Sequence, residues 1–436
     1  MELSKHNIYS VIYGEKDKHF IINLLSGNAD ILSNDELSTL LSVQHNPDPE
    51  LVEKGYLVDP DTEAKLYRRK YLDFLDARET DEVQLFYAPS YSCNFGCAYC
   101  YQKGYLKEER ELNLNVAGAF FDYINEHFRK RRKYITLFGG EPLPGSRQSF
   151  DFIAGFSKLC NVHNLPLAIV TNGYRLSDYL EILAHCEIKE IQVTLDGPEE
   201  IHNLRRPLKN GQGTFGNIVK GIDDALKAGL PVNLRFVADR DNIGSLPELA
   251  EFCINRGWTD SPLFKTQLGR NYELHYCQFQ QSKLYSRLDL YKDLFKLIHE
   301  YPGILRFHKP AYAVSKFLFE NGELPSPLFD SCPGCKTEWA FDYTGKIFSC
   351  TATVGKPGEE LGTFYPKVQH NHQQIETWQQ RDILSIKACN TCNLSLVCGG
   401  GCASVAFNRE KTLHAPDCRP VKELIELGMA LYMEKK

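Results

Sequence analysis

The chain has 436 residues, of which 43% are hydrophobic and 24% charged, with a net charge of −6. That is ordinary globular composition, enough for two or three domains, each able to bury its own core. No run approaches the ~18 apolar residues of a membrane span, and the start, Met1-Glu2-Leu3-Ser4-Lys5-His6, lacks the apolar core of a signal peptide, so a cytoplasmic protein without a membrane partner is expected.

Residues 1–80 read as a small α+β module. Ile8-Tyr13 and Phe20-Leu25 are strand-like runs split by the charged turn Gly14 to Lys18. Ser33 caps a predicted helix through Leu41, with Glu36 as its capping-box partner. Pro49-Val52 and Tyr56-Val58 predict a further helix and strand, and Lys65 to Arg78 a charged helical connector.

Residues 81–310 alternate strand and helix. The predicted strands are Val83-Tyr87, Tyr134-Phe138, Leu167-Thr171, Glu190-Leu195, Val232-Val237 and Leu263-Gln267. The predicted helices are Val116-Phe128, Phe150-Cys160, Ser177-Ala184, Phe215-Ala228 and Ser245-Arg256. This pattern predicts an α/β fold with a parallel sheet, open or curled into a partial (β/α)6 barrel, with its site at the carboxyl ends of the strands. The one basic run, Arg129 to Lys133, falls at a helix end, where cations suit the dipole, and no nucleic-acid partner is expected. Residues 311–436 change character: Cys, Gly and Pro dominate, which predicts a loop-rich region organised around metal.

Fifteen cysteines in a cytosolic chain point to metal or redox chemistry over disulfides. Cys160, Cys186 and Cys253 fall in apolar segments and read as structural thiols, while Cys277 has no assigned place. Cys93, Cys97 and Cys100 form Cys-x3-Cys-x2-Cys directly after the first barrel strand. Three clustered thiolates bind soft metals or iron–sulfur clusters. Structural zinc wants four ligands, and no fourth Cys or His follows closely, so one coordination position is open to a substrate. Tyr99 either packs near a ligand ring or shields the metal.

This loop resembles the signature of the radical S-adenosylmethionine (SAM) superfamily. The resemblance implies reductive cleavage of SAM at a [4Fe–4S] cluster, a low-potential electron donor, and hydrogen abstraction from a substrate. Three further motifs extend it. Gly139-Gly140-Glu141-Pro142 is similar to the family's motif for the SAM amino group; two glycines permit close backbone approach, and a carboxylate accepts from an ammonium. Thr171-Asn172-Gly173 is a tight polar turn that puts Asn172 in the same set. Thr194 and Asp196, alternating to one face, can take ribose hydroxyls, and Arg206, more than Arg205, matches the Arg for the SAM carboxylate. Asn242 reads as a turn residue.

Eight more cysteines lie between 332 and 418: Cys332, Cys335, Cys350, Cys389, Cys392, Cys398, Cys402 and Cys418. The count suits two [4Fe–4S] clusters or two zinc sites. The spacing resembles a SPASM domain, the auxiliary-cluster domain of many radical SAM enzymes. The resemblance implies one cluster on Cys332, Cys335, Cys350 and Cys402, another on Cys389, Cys392, Cys398 and Cys418, and so three clusters in all.

SPASM-type enzymes mostly modify peptides or proteins, so a peptide substrate, a ribosomal precursor, is expected. Residues 1–80 resemble, in element order, the winged-helix-like precursor-recognition domain of ribosomal-peptide maturases, which can pair a leader peptide to a sheet edge. Sulfatase-maturing enzymes of this family carry an Asp where Thr351 stands here. A small-molecule radical SAM enzyme and a non-enzymatic zinc protein are the other readings.

Overall fold

The computed structural model describes residues 1–42, 48–102, 112–270 and 284–434; Cys277 lies outside them. The N-terminal module is an antiparallel sheet of β1 (Ile8–Val11), β2 (Lys18–Asn23) and β3 (Asn28–Ser33). The predicted capping box is present. Ser33 Oγ accepts from Glu36 N at 3.3 Å, and Glu36 Oε2 accepts from Ser33 N at 2.7 Å, starting the helix Asn34–Ser42. The helix Pro49–Glu53 follows, and then Leu57–Val58, which pairs with Glu2–Leu3.

One edge of this sheet is occupied. Tyr13 N donates to Glu426 O at 3.3 Å, and the Ser10 hydroxyl to the Glu426 carboxylate, both on the C-terminal helix Val421–Met433. The other edge is β3, where Ile31 is 46% exposed. The predicted connector is the helix Pro60–Thr80, started by Asp59, whose carboxylate accepts from Thr62 N at 2.9 Å. It is more than a linker: the rings of Tyr67, Tyr71 and Phe74 pack on Phe329 at 5.2, 5.2 and 5.6 Å.

Six parallel strands then run in chain order: β4 (Val83–Ala88), β5 (Lys133–Leu137), β6 (Leu167–Thr171), β7 (Ile188–Thr194), β8 (Val232–Ala238) and β9 (Phe264–Arg270). Their helices are Leu114–His127, Arg147–Val162, Leu176–Leu183, Phe215–Lys227 and Leu246–Asn255, close to the predicted bounds. Side-chain alternation explains the curl. Val83, Leu85, Ile135, Leu137, Ile191 and Val193 belong to the core under the helices, each worth about 1.5–3 kcal/mol when fully buried. The opposite face carries Gln84, Thr136, Glu190, Gln192, Asn233 and Arg235, which line a cavity. A parallel sheet is usually apolar on both faces; the polar face here is a lumen.

Residues 311–436, expected to be loop-rich, also carry strands that join the main sheet. β10 (Glu338–Asp342) pairs parallel to β4, from Glu338 opposite Gln84 to Asp342 opposite Ala88. β11 (Lys346–Phe348), β12 (Gly362–Thr363) and β13 (Gln369–His370) extend the same sheet to ten strands. Phe329, Trp339, Phe341 and Ile347 join the main apolar core, as does the helix Val421–Met433. These strands are too short for a two-residue period to be readable in sequence. Arg131 ties the basic run back to the fold, donating to the carbonyls of Arg78 and Asp81, each at 2.8 Å. Among the described residues no helix is long and apolar enough to cross a membrane.

Candidate active site

The cysteine loop leaves the carboxyl end of β4 and is clamped from both sides. Gly140 N donates to Ser90 O at 3.0 Å and Glu141 N to Ser92 O at 2.8 Å; Gly96 N donates to Pro207 O at 2.8 Å, and Lys209 N to Asn94 O at 3.0 Å. Gly139 has φ +130°, and a Cβ on Gly140 would fall 2.0 Å from Ser92 O. Both glycines are therefore dictated by backbone approach. Cys93, Cys97 and Cys100 are half-buried and line a cavity of about 380 Å³ together with Gly140.

Burial pushes the Cys93 thiol up to about 12, with nearby Glu141 adding to the rise, and raises Cys97 for the same first reason. Such thiols ionise only when a cationic core arrives to compensate. A cavity walled by three thiols fits an iron–sulfur cluster.

Glu141, 3% exposed, is already engaged. Oε1 accepts from Leu143 N at 2.8 Å and Thr171 Oγ1 at 2.5 Å, and Oε2 accepts from Asn172 N at 2.6 Å. A carboxylate has about four acceptor positions, so one on Oε2 remains. Burial raises its pKa, opposed by those bonds and by Arg206. Asn172 Nδ2 donates to Asn94 Oδ1 at 2.7 Å, tying the polar turn to the cysteine loop. Pro142 is buried beside it.

Tyr99, Asp196, Arg205 and Arg206 form one network. The Tyr99 hydroxyl donates to Asp196 Oδ2 at 2.5 Å and accepts from Arg206 Nη1 at 2.6 Å. Asp196 is wholly buried and also accepts from Val237 N at 3.1 Å and Arg205 Nε at 3.4 Å. In this arrangement Asp196 and Tyr99 orient the arginines, and one acceptor position on Asp196 Oδ1 remains; Thr194 is 8% exposed. Arg205 is committed to the scaffold, its Nη1 donating to both carboxylate oxygens of Asp239 at 2.9 and 2.8 Å. Arg206 faces Cys97, and its buried Nε has no partner. Asn242, wholly buried, accepts from Asp239 N at 2.8 Å and donates to the carbonyls of Asp196 and Val237, both at 3.0 Å, the turn role predicted for it.

His202 is a supporting residue that the motif spacing left without a role. Its Nδ1 accepts from Asp196 N at 3.2 Å, so Nε2 carries the proton toward Thr214 Oγ1 at 3.1 Å. Thr214 in turn donates to Arg206 O at 2.8 Å. Burial first, then Arg206 and Arg205, hold this imidazole well below its ordinary pKa.

In a first group of C-terminal cysteines, Cys332, Cys335, Cys350 and Cys402, burial first, with neighbouring thiols of the four adding to the rise, pushes Cys332, Cys335 and Cys350 up. Burial first, then the thiols of Cys398 and Cys392, raises Cys389 and Cys418. The first group is deep, with Cys335 at 2% exposure, whereas Cys418 is exposed. Among the described residues no three His, Cys, Asp or Glu side chains converge as a single ion requires; a multi-iron core is wider than the ~2.3 Å ligand radius of zinc. Every described cysteine is free of disulfides, and Cys160 and Cys253 are buried as expected.

Arg381, which carries no motif, organises this region. It is wholly buried, donating to the carbonyls of Leu413, Gly400 and Ala415 at 2.6, 2.8 and 3.2 Å. A single Arg in a stretch of ordinary composition gives no sequence signal for that.

The lumen cavity measures about 430 Å³. Tyr101, next to Cys100, and Thr351, next to Cys350, are among its walls. Glu338 Oε1 accepts from Thr351 N at 2.9 Å.

Residues 87–253 match the family model described as the Radical SAM superfamily. The chain carries a radical SAM domain over those residues, which makes it an enzyme, and the superfamily works with a [4Fe–4S] cluster and SAM. Its particular relatives narrow the comparison. Over 172 residues it is 30% identical to GTP 3',8-cyclase of Nautilia profundicola, a match spanning 38% of this chain and only 51% of that protein. Over 342 residues it is 25% identical to mycofactocin maturase MftC of Mycolicibacterium smegmatis, spanning 75% of this chain and 80% of that one. In fold it is similar to native anSMEcpe with bound AdoMet, with TM-score 0.63 and 18% identity over 81% of this chain and 99% of the other. It is also similar to Streptococcus suis SuiB bound to precursor peptide SuiA, with TM-score 0.53 and 15% identity over 96% and 98%.

Proposed function

We propose that this enzyme installs a radical-derived modification on a peptide, with Cys93, Cys97 and Cys100 holding the SAM-binding cluster. The observation that carries the reading is the juxtaposition of the cysteine-lined cavity with a polar lumen that also reaches Cys350 through Thr351. The match along most of MftC, a maturase by name, and the whole-chain fold likeness to a protein seen with its precursor peptide support a peptide substrate. A [4Fe–4S] cluster held by Cys93, Cys97 and Cys100 would supply the electron for reductive cleavage of SAM, and so the radical chemistry of hydrogen abstraction.

The chain's own residues bind and orient. The open Oε2 position of Glu141 receives the SAM ammonium, and the unpartnered Nε of Arg206 its carboxylate. Gly139 and Gly140 admit the ligand along the backbone, Pro142 and Asn172 hold the turn around it, and Thr194 lies toward its ribose. Tyr99 and Asp196 set the Arg206 guanidinium. The two groups of four C-terminal cysteines hold auxiliary clusters, and the outer group, with Cys418 exposed, receives electrons from a low-potential donor. Residues 1–80 recognise the leader of a ribosomal precursor on the β3 edge, because the β1 edge is occupied by the C-terminal helix.

The test is anaerobic reconstitution. Three clusters predict about 12 iron per chain and 5′-deoxyadenosine formation from SAM, lost on replacing Cys93, Cys97 and Cys100 by Ala. A colourless protein with stoichiometric zinc would overturn the reading. The cyclase likeness favours a second reading, a small-molecule substrate. SAM cleavage stimulated by a nucleotide and by no peptide would select it.

A further inference from the structure

Among the described residues, Arg235 is a lumen cation with no carboxylate paired to it. Arg235 lies on β8, on the polar face, opposite Thr194 and Gln267 in the register. Its other charged neighbours on the cavity wall are committed. Lys189 pairs with Glu82, and Glu190 accepts from Asn233 Nδ2 at 3.0 Å. Arg235 itself makes only a 3.5 Å contact from Nη1 to Gln192 Oε1, an oxygen on an amide already engaged with Gln267 at 2.8 Å. Its Nε has no partner, and neither has Asn233 Oδ1 beside it.

Two observations make this a built feature. Gly269 on β9 gives the guanidinium its room: a Cβ there would lie 2.9 Å from Arg235 Nε. Arg235 shares its cavity with Tyr101, next to Cys100, and with Thr351, next to Cys350. An unpaired guanidinium fork in a shielded cavity matches one ligand chemistry best, a planar carboxylate bound through two parallel hydrogen bonds. Asn233 Oδ1 adds an acceptor for an N–H two residues along the same face.

We propose that Arg235 is the specificity-determining residue of the lumen, and that the peptide segment presented for modification carries a carboxylate that docks on it. The proposal rests on the peptide reading above and sharpens it. Two sources supply a carboxylate, an Asp or Glu side chain or the peptide's own C-terminus, and both would place it at the same guanidinium.

The experiment uses the reconstituted holoenzyme with SAM and a mixed hexapeptide library in three arms: acidic side chain with amidated C-terminus, no acidic side chain with free C-terminus, and neither. Retained peptides are identified by equilibrium dialysis and mass spectrometry, with Arg235→Gln, Arg235→Lys and Gly269→Ala proteins in parallel, each checked for folding by thermal melting. The expected result is enrichment of one or both carboxylate arms. That enrichment should fall about 10- to 100-fold in Arg235→Gln, the range for losing a charge-assisted pair, and partly in Arg235→Lys, which keeps the charge but not the fork. Enrichment in one arm alone names the source. Equal retention of the third arm, or unchanged selectivity in folded Arg235→Gln, would overturn the proposal while leaving the peptide reading intact. Retention of no peptide in any arm would overturn the peptide reading itself, and this proposal with it.

Discussion

Gly140→Ala is the most local perturbation of the site. The added Cβ would lie 2.0 Å from Ser92 O and 2.5 Å from the carbonyl carbons of Tyr91 and Ser92. Carbon–oxygen contacts settle at about 3.3 Å, so the loop must retreat by about 1.3 Å. Cluster ligation tolerates only about 0.2 Å of ligand misplacement, and the bonds from Gly140 N to Ser90 and Glu141 N to Ser92 would stretch as well. Overpacking of this kind costs about 1–3 kcal/mol, which a protein with two auxiliary clusters and a continuous core should survive. The variant should therefore fold, keep about 8 of about 12 iron atoms, and lose SAM cleavage. Gly118→Ala is the control, because its Cβ meets open space on a helix. It should leave iron unchanged and add up to about 1 kcal/mol of stability. Full iron content and normal SAM cleavage in Gly140→Ala would refute the claim that the glycine pair seats the cysteine loop.

Other outcomes separate the neighbouring roles. Arg206→Lys should weaken SAM binding about 10- to 100-fold with little change in the melting point, while Arg205→Met, breaking a buried pair with Asp239, should cost about 3–5 kcal/mol of stability; binding isotherms and denaturant melts distinguish them. Cys418→Ser should remove about 4 iron atoms and leave the loop cluster spectroscopically intact; loss of both auxiliary clusters would mean the two groups share ligands. His202 is buried and neutral, so the unfolded chain binds a proton that the native chain does not. Stability should therefore fall as pH drops below the ordinary histidine value of 6.5, by up to about 1.4 kcal/mol per pH unit. His202→Gln should flatten that part of the pH profile. Ile31→Lys on the open β3 edge should weaken capture of a leader peptide without moving the melting point, as calorimetry would report.

The site was more legible in sequence than its surroundings, for physical reasons. Cys93, Cys97 and Cys100, and the Gly139-Gly140 pair, are dictated by local backbone and ligand chemistry, so their spacing survives as a readable pattern. The six barrel strands and five helices were readable because their apolar positions repeat over whole elements. β10 was not, because five residues pairing with β4 from 250 positions away leave no local periodicity. Alternation with Thr194 singles out Asp196, and its place before Cys100 singles out Tyr99; their hydrogen bonds to Arg205 and Arg206 needed the fold to be seen. Arg235 and Arg381 were silent for the same reason, since an isolated arginine acquires meaning only from what surrounds it in space. The pairing of the eight C-terminal cysteines is left open by spacing among many combinations.

The central claim is best tested by the intact mass of a candidate substrate peptide after anaerobic incubation with the reconstituted enzyme, SAM and a low-potential reductant. A defined mass change, dependent on SAM and absent when Cys93, Cys97 and Cys100 are replaced by Ala, is the predicted result. A modification that persists in the triple variant, or SAM turnover that leaves every peptide unchanged while a small molecule is consumed, would contradict it.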